Sequence, residues 1–124
     1  MTMLKFKFLL WMMPRLLQRA IDTKPACAHY VSGKTLEFQI QTIGKIGRYF
    51  RVEDGRVKSF AGLTRTPKFT LTFSNADRGF KILSAKDGKE AFLAALHDED
   101  LVISGDFVEV LWFQGFTDYL QPGK

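Results

Sequence analysis

A short β-branched run that ends on Gly-Asp and passes at once into an apolar helix constrains this chain more than any other feature. Leu101-Val102-Ile103-Ser104 reads as a buried strand, and Gly105-Asp106 ends it. Glycine accepts the backbone angles of a tight corner, and aspartate caps the helix behind it. Asp106 and Glu109 stand at capping-box spacing, so both carboxylates are expected to serve free amides of the first turn. The helix then carries Phe107, Val108, Val110, Leu111, Trp112, Phe113, Phe116, Tyr119 and Leu120. Helical periodicity sets Val108, Trp112, Phe116 and Tyr119 on one side and Phe107, Val110 and Leu111 on another. A surface helix needs one apolar stripe. Two imply enclosure from a second side or contact with something besides the chain's own sheet.

Upstream, Leu36, Phe38 and Ile40 alternate with Glu37, Gln39 and Gln41, the period-two pattern of a strand with one dry face. Gly44 and Gly47 bracket a turn into Arg48 to Val52, and Asp54-Gly55 joins that strand to Val57 to Phe60 as a hairpin. Phe69, Leu71 and Phe73 alternate with Lys68, Thr70 and Thr72 after the break at Pro67. These strands are expected to form an antiparallel meander. Ser74 with Asp77 is expected to cap a short helix carrying Phe80 and Leu83, and Asp87 with Glu90 one carrying Phe92 and Leu96. Strands first and helices later give an α+β class: a mainly antiparallel five-stranded sheet with helices packed on one face.

The first 21 residues are apolar with Lys5, Lys7, Arg15 and Arg19 and no acid. The uncharged run Phe8 to Met13 is far shorter than the roughly 20 residues of a membrane span, and Pro14 closes it without a cleavage signal. A helix from Arg15 to Asp22 follows, either docked on the core or lying on an anionic membrane with Trp11 and the bases at headgroup level. Thr23 to Lys34 reads as a connector, since Lys24-Pro25 disfavours helix. Residues 1–34 are thus a helical arm and connector, and 35–124 the domain proper, within a single compact whole.

At this point the sequence resembles the sterol carrier protein 2 (SCP2) family of lipid-binding domains. The resemblance rests on Leu101 to Asp106, on Phe73-Ser74-Asn75 through Phe92, and on the order of elements from Leu36 onward, roughly three quarters of the chain. The apolar, basic start is closer to small bacterial relatives, including ubiquinone-biosynthesis accessory proteins that carry such a domain. The resemblance implies an apolar tunnel between sheet and helices for a sterol, fatty acyl chain, phospholipid or isoprenoid quinone, with no catalytic residue, cofactor or metal. Phe38, Ile40, Phe50, Phe69, Leu71 and Phe73 would supply its sheet side. Phe80, Leu83, Phe92, Leu96, Phe107, Val110, Leu111 and Phe116 would supply its helical side. Twelve phenylalanines in 124 residues fit a dense core or a roomy apolar cavity.

Other classes have weaker support. An enzyme would have to use His97 beside Asp98-Glu99-Asp100, or Cys27 near His29, and neither forms a known nucleophile, metal or phosphate-loop pattern. Nucleic acid could meet Arg48, Tyr49, Arg51, Arg56 and Lys58 on the hairpin, which match an RNA-stacking pattern poorly. Residues 1–62 hold 11 Lys or Arg against 4 Asp or Glu, whereas residues 63–124 hold 7 against 9. That basic half favours an anionic partner. An accessory role, presenting lipid to a membrane enzyme, also fits. The single cysteine excludes an intrachain disulfide and suits a reducing compartment. No Ser-Lys-Leu ending stands at the C terminus, and the expected setting is the cytoplasm, with peripheral attachment to membrane.

Overall fold

In the computed structural model, which describes residues 2–44, 47–85 and 87–120, five strands form one sheet with its helices on one side. The elements are α1 (Thr2–Thr23), α2 (Pro25–Val31), β1 (Leu36–Thr42), β2 (Gly47–Glu53), β3 (Arg56–Ala61), β4 (Phe69–Phe73), α3 (Ala76–Leu83), α4 (Gly88–His97), β5 (Leu101–Gly105) and α5 (Phe107–Thr117), closed by a 3-10 turn at Asp118–Leu120. Alternation along the strands sets the layers. Leu36, Phe38, Ile40, Phe50, Val52, Phe69, Leu71 and Phe73 point to the helices and are fully or almost fully buried.

The sheet is mixed, which corrects the expected meander. Its order is β3-β2-β1-β4-β5, and β4 pairs with β1 in parallel while the other three pairings are antiparallel. After β3 the chain crosses back over the outer face instead of making a hairpin. Thr64 fastens that link, its amide donating to Gln39 Oε1 and its hydroxyl to Glu37 Oε1, both at 2.9 Å. Gln39 and Gln41 then donate to Thr70 and Thr72 across the parallel pair, each at 3.0 Å. These side-chain hydrogen bonds pair the Gln39 and Gln41 amides and help hold β4 beside β1. The Asp54-Gly55 hairpin is as expected, with both residues at positive φ (51° and 73°), the combination a type I′ turn requires. The turn expected between Gly44 and Gly47 includes residues 45 and 46, which lie outside the described residues.

The N-terminal segment differs most. α1 runs unbroken through Pro14, so the helix begins well before Arg15. Phe6, Leu10, Met13, Leu17, Ala20 and Ile21 recur at steps of three and four and are all buried in the same cluster as the sheet residues. Each fully buried large side chain contributes roughly 1.5–3 kcal/mol. Together they outweigh the roughly 3 kcal/mol that an interior proline costs. The expected connector also contains a helix. Pro25 stands in the first turn of α2, where its missing amide hydrogen costs nothing, and Lys24 is extended as a pre-proline residue should be (φ −120°, ψ 107°).

Helix starts follow the expected device with one shift. Asp87 accepts from the Glu90 amide at 3.1 Å, and Asp106 from the Val108 and Glu109 amides. At α3 the cap is Asn75, which accepts from the Arg78 amide at 2.9 Å. Ser74 instead donates its hydroxyl to Asp100 at 3.0 Å, tying the end of β4 to the turn before β5. Glu109 does not complete a capping box: its carboxylate receives Lys34 Nζ at 2.5 Å. At the Gly105 corner φ is +104°, and a side chain there would collide with the Lys68 carbonyl. Glycine is required.

Candidate functional site: an apolar cavity in the helical layer

Aromatic rings fill the space between the sheet and α5. Phe38 stacks on Phe50 and Phe69, with centroids 5.2 and 4.9 Å away, and Phe113 leans onto Phe38 at 4.7 Å. Phe69 also meets Phe113, at 5.9 Å. With Val110 and Phe116 fully buried beside them, this level is close-packed core.

The opening lies one level further out, among the helices. α1 contributes Leu9, Met13 and Leu16, and the end of α3 contributes Ile82, Leu83 and Ser84. Gly88 and Phe92 of α4, Phe113, Gln114 and Thr117 of α5, and Asp118 and Leu120 beyond it complete the wall, together with Ala85. The cavity measures about 320 Å³, at the small end of the roughly 300–1,000 Å³ typical of ligand sites. Its floor is the buried faces of Met13, Phe92 and Phe113. No Lys, Arg or His stands in the wall among the described residues.

This placement sorts the residues expected to meet a ligand. Leu83 and Phe92 line the cavity. Phe38, Ile40, Phe50, Phe69, Leu71, Phe73, Val110 and Phe116 lie beneath it as core. Leu96 packs half-buried against that core, and Phe80 borders a separate shallow groove with Leu4, Lys5 and Phe8. Phe107 and Leu111 face outward, Leu111 at 56% exposure. Sequence reasoning missed Leu9, Met13, Leu16, Ile82 and Phe113. Had α1 been continued through Pro14, the spacing of Leu9, Met13 and Leu16 would have placed them on one flank.

The surplus apolar surface of α5 is taken up on one side by α2. Tyr30 stacks on Trp112 at 5.7 Å with an interplanar angle of 14°, donates its hydroxyl to the Trp112 carbonyl at 2.7 Å, and meets Tyr119 at 5.6 Å. Lys34 Nζ sits 5.0 Å over the Trp112 ring while it pairs with Glu109. Burial, joined by the charges of Tyr119, Asp118 and Cys27, raises the Tyr30 hydroxyl above its usual range. Burial also pushes the Cys27 thiol up, with Lys24 opposing.

The chemistry-bearing residues considered earlier are dispersed. Cys27 is buried while His29 is exposed. His97 is exposed, with its Nδ1 3.2 Å from Asp98 Oδ1. Among the described residues no three His, Cys, Asp or Glu side chains gather as a metal site. On the hairpin, Arg51 pairs with Glu37 at 2.8 Å, Arg48 donates to Ser59 at 3.0 Å, and Tyr49 stacks on Phe60 at 4.9 Å. Those groups are engaged with one another.

The outer face of α1 carries an exposed apolar stripe. Leu4, Phe8 and Trp11 stand one helical turn apart, with Phe8 at 58% exposure. Phe8 and Trp11 lie 5.9 Å apart, and the Arg15 guanidinium caps the Trp11 ring at 3.8 Å. Among the described residues, no helix is long and apolar enough to cross a membrane.

No family model matches the chain. No curated protein matches it by sequence. Its architecture does have solved counterparts. A ubiquinone synthesis protein, UbiJ-SCP2, superposes with a TM-score of 0.69 at 14% identity, over 93% of this chain and 97% of that one. The apo form of sterol carrier protein 2 from Yarrowia lipolytica gives 0.55 at 10% identity, over 90% and 91%. Palmitated SCP2L2 from Aedes aegypti gives 0.52 at 17% identity, over 86% and 90%. The mixed five-stranded sheet with its helices on one face therefore has the fold of a sterol carrier protein 2-like domain.

Proposed function

We propose that this chain is a lipid carrier without catalytic chemistry, holding an apolar chain in the cavity among α1, α3, α4 and α5 and exchanging it at an anionic membrane surface. The cavity itself carries the reading: it is mainly apolar, opens to the surface, and lies in a fold shared with proteins described as a sterol carrier, a palmitated protein and a ubiquinone synthesis protein. Each methylene withdrawn from water contributes about 0.8 kcal/mol, less the cost of immobilising the guest. A cavity of this size takes one acyl or prenyl segment rather than a two-chained lipid.

Membrane contact rests on charge and exposure together. Leu4, Phe8 and Trp11 present apolar surface, and Lys5, Lys7, Arg15 and Arg19 surround it with no acid in the first 21 residues. Such a face enters the headgroup region of an anionic bilayer without spanning it. α1 also supplies Leu9 and Leu16 to the cavity wall, so docking would bring the opening to the lipid. A carrier of this kind suits the cytoplasmic side of a membrane and the presentation of lipid to an enzyme there. Mass spectrometry of organic extracts from natively purified protein tests the reading: about one apolar molecule per chain is expected, whereas lipid-free protein that also fails to take up added lipid would overturn it.

A further inference from the structure

The cavity wall has a polar side, and its sign is specific. The last turn of α3 and the last turn of α5 both border the cavity, each bringing the partial negative charge of a helix C-terminus. Asp118, an acidic residue, stands at the same wall. The one helix start there, at Gly88, is already capped by Asp87. Opposing cations are absent among the described wall residues. The hydroxyls of Ser84 and Thr117 donate to the carbonyls of Phe80 and Gln114. The Gln114 amide, by contrast, makes no hydrogen bond to another described residue, and its Nε2 lies against Gly88. It offers a donor and an acceptor to whatever enters.

We infer that this site, if it is the lipid site proposed above, selects guests with an uncharged polar head, such as an alcohol, sterol hydroxyl or quinone carbonyl, over carboxylates and phosphates, with Gln114 bonding the head and Asp118 repelling anions. A carboxylate brought to Gln114 would lose its hydration in a field of its own sign, with no Lys, Arg or His among the described wall residues to compensate it. An alcohol loses far less and regains a hydrogen bond from the amide.

Calorimetric titration of the full chain with dodecanol and with dodecanoate at pH 7.5 separates the possibilities, since the two share one chain and differ in the head. Dodecanol is expected to bind about tenfold more tightly or better. Asp118→Asn should narrow the gap by strengthening dodecanoate at least about threefold, and Gln114→Leu should narrow it by weakening dodecanol. Equal affinities, or tighter dodecanoate, would overturn the selectivity while leaving the carrier reading intact. A gap that neither substitution narrows would remove the roles of Gln114 and Asp118. Binding of neither compound would overturn the carrier reading itself.

Discussion

Gly79 of α3 lies against the ring of Phe6 of α1, so closely that a β-carbon on Gly79 would stand 2.6 Å from Phe6 Cε1. Phe6 has nowhere to retreat, being fully buried with its edge to Phe73 at 6.4 Å. Alanine at position 79 would gain about 1 kcal/mol of helix propensity but overpack this contact by about 1–3 kcal/mol. Gly79→Ala should therefore lower the melting temperature by a few degrees. A raised melting temperature would mean that α1 slides freely on α3 and is a detachable arm after all.

Two aspartate substitutions on α5 separate its faces. Phe116 is 0% exposed, so Phe116→Asp buries a charge and should abolish the cooperative fold. Leu111 faces water, and Leu111→Asp should change stability by no more than about 0.5 kcal/mol and leave lipid uptake intact. Loss of uptake by folded Leu111→Asp protein would relocate the site to the outer face of α5, where the sequence alone had placed part of it.

The alkaline limb of the stability profile should depend on Cys27 and Tyr30. Burial raises both groups, so each binds its proton more tightly folded than unfolded. Their contribution is whole below about pH 8.5 to 10, where the unfolded thiol and phenol ionise, and is lost as pH rises through the higher folded values. Denaturant midpoints should fall above about pH 9. The double variant Cys27→Ala, Tyr30→Phe should fall less steeply, although loss of the bond to the Trp112 carbonyl costs it about 0.5–1.5 kcal/mol at neutral pH. Identical slopes would contradict the burial argument.

Attachment to membrane should be salt-sensitive and confined to one face of α1. Vesicles containing phosphatidylserine should sediment the protein at low salt, and Phe8→Asp with Trp11→Asp should reduce that at least about tenfold while leaving the melting temperature unchanged within a few degrees. Equal sedimentation of the two forms would remove the docking face.

Local signals carried much of the architecture. The Asp54-Gly55 hairpin, the alternation around Phe38 and Phe69, the caps at Asp87 and Asp106 and the Gly105 corner each depend on residues close in sequence. Three features depend on distant partners and left no such trace. Parallel pairing of β1 with β4 arises from a link that Thr64 pins across the sheet, and no turn motif announces it. α1 persists through Pro14 because Leu10, Met13 and Leu17 are buried on both sides of it. The surplus on α5 proved to be partly the docking surface for Tyr30 of α2, and the opening lies on another flank of α5, closed by α1, which sequence reasoning had treated as an arm, and by the short helices α3 and α4. Only Leu83 and Phe92 of the expected ligand-facing residues reach it, because periodicity identifies a buried face without saying whether rings or empty space oppose it.

Filling the cavity tests the central claim most directly. Leu83→Trp adds an indole where the wall borders open space, so the protein should remain folded with a melting temperature at or above the parent's. Measured by calorimetry, its affinity for dodecanol should fall at least about tenfold. A folded Leu83→Trp protein that binds dodecanol as tightly as the parent would contradict the account.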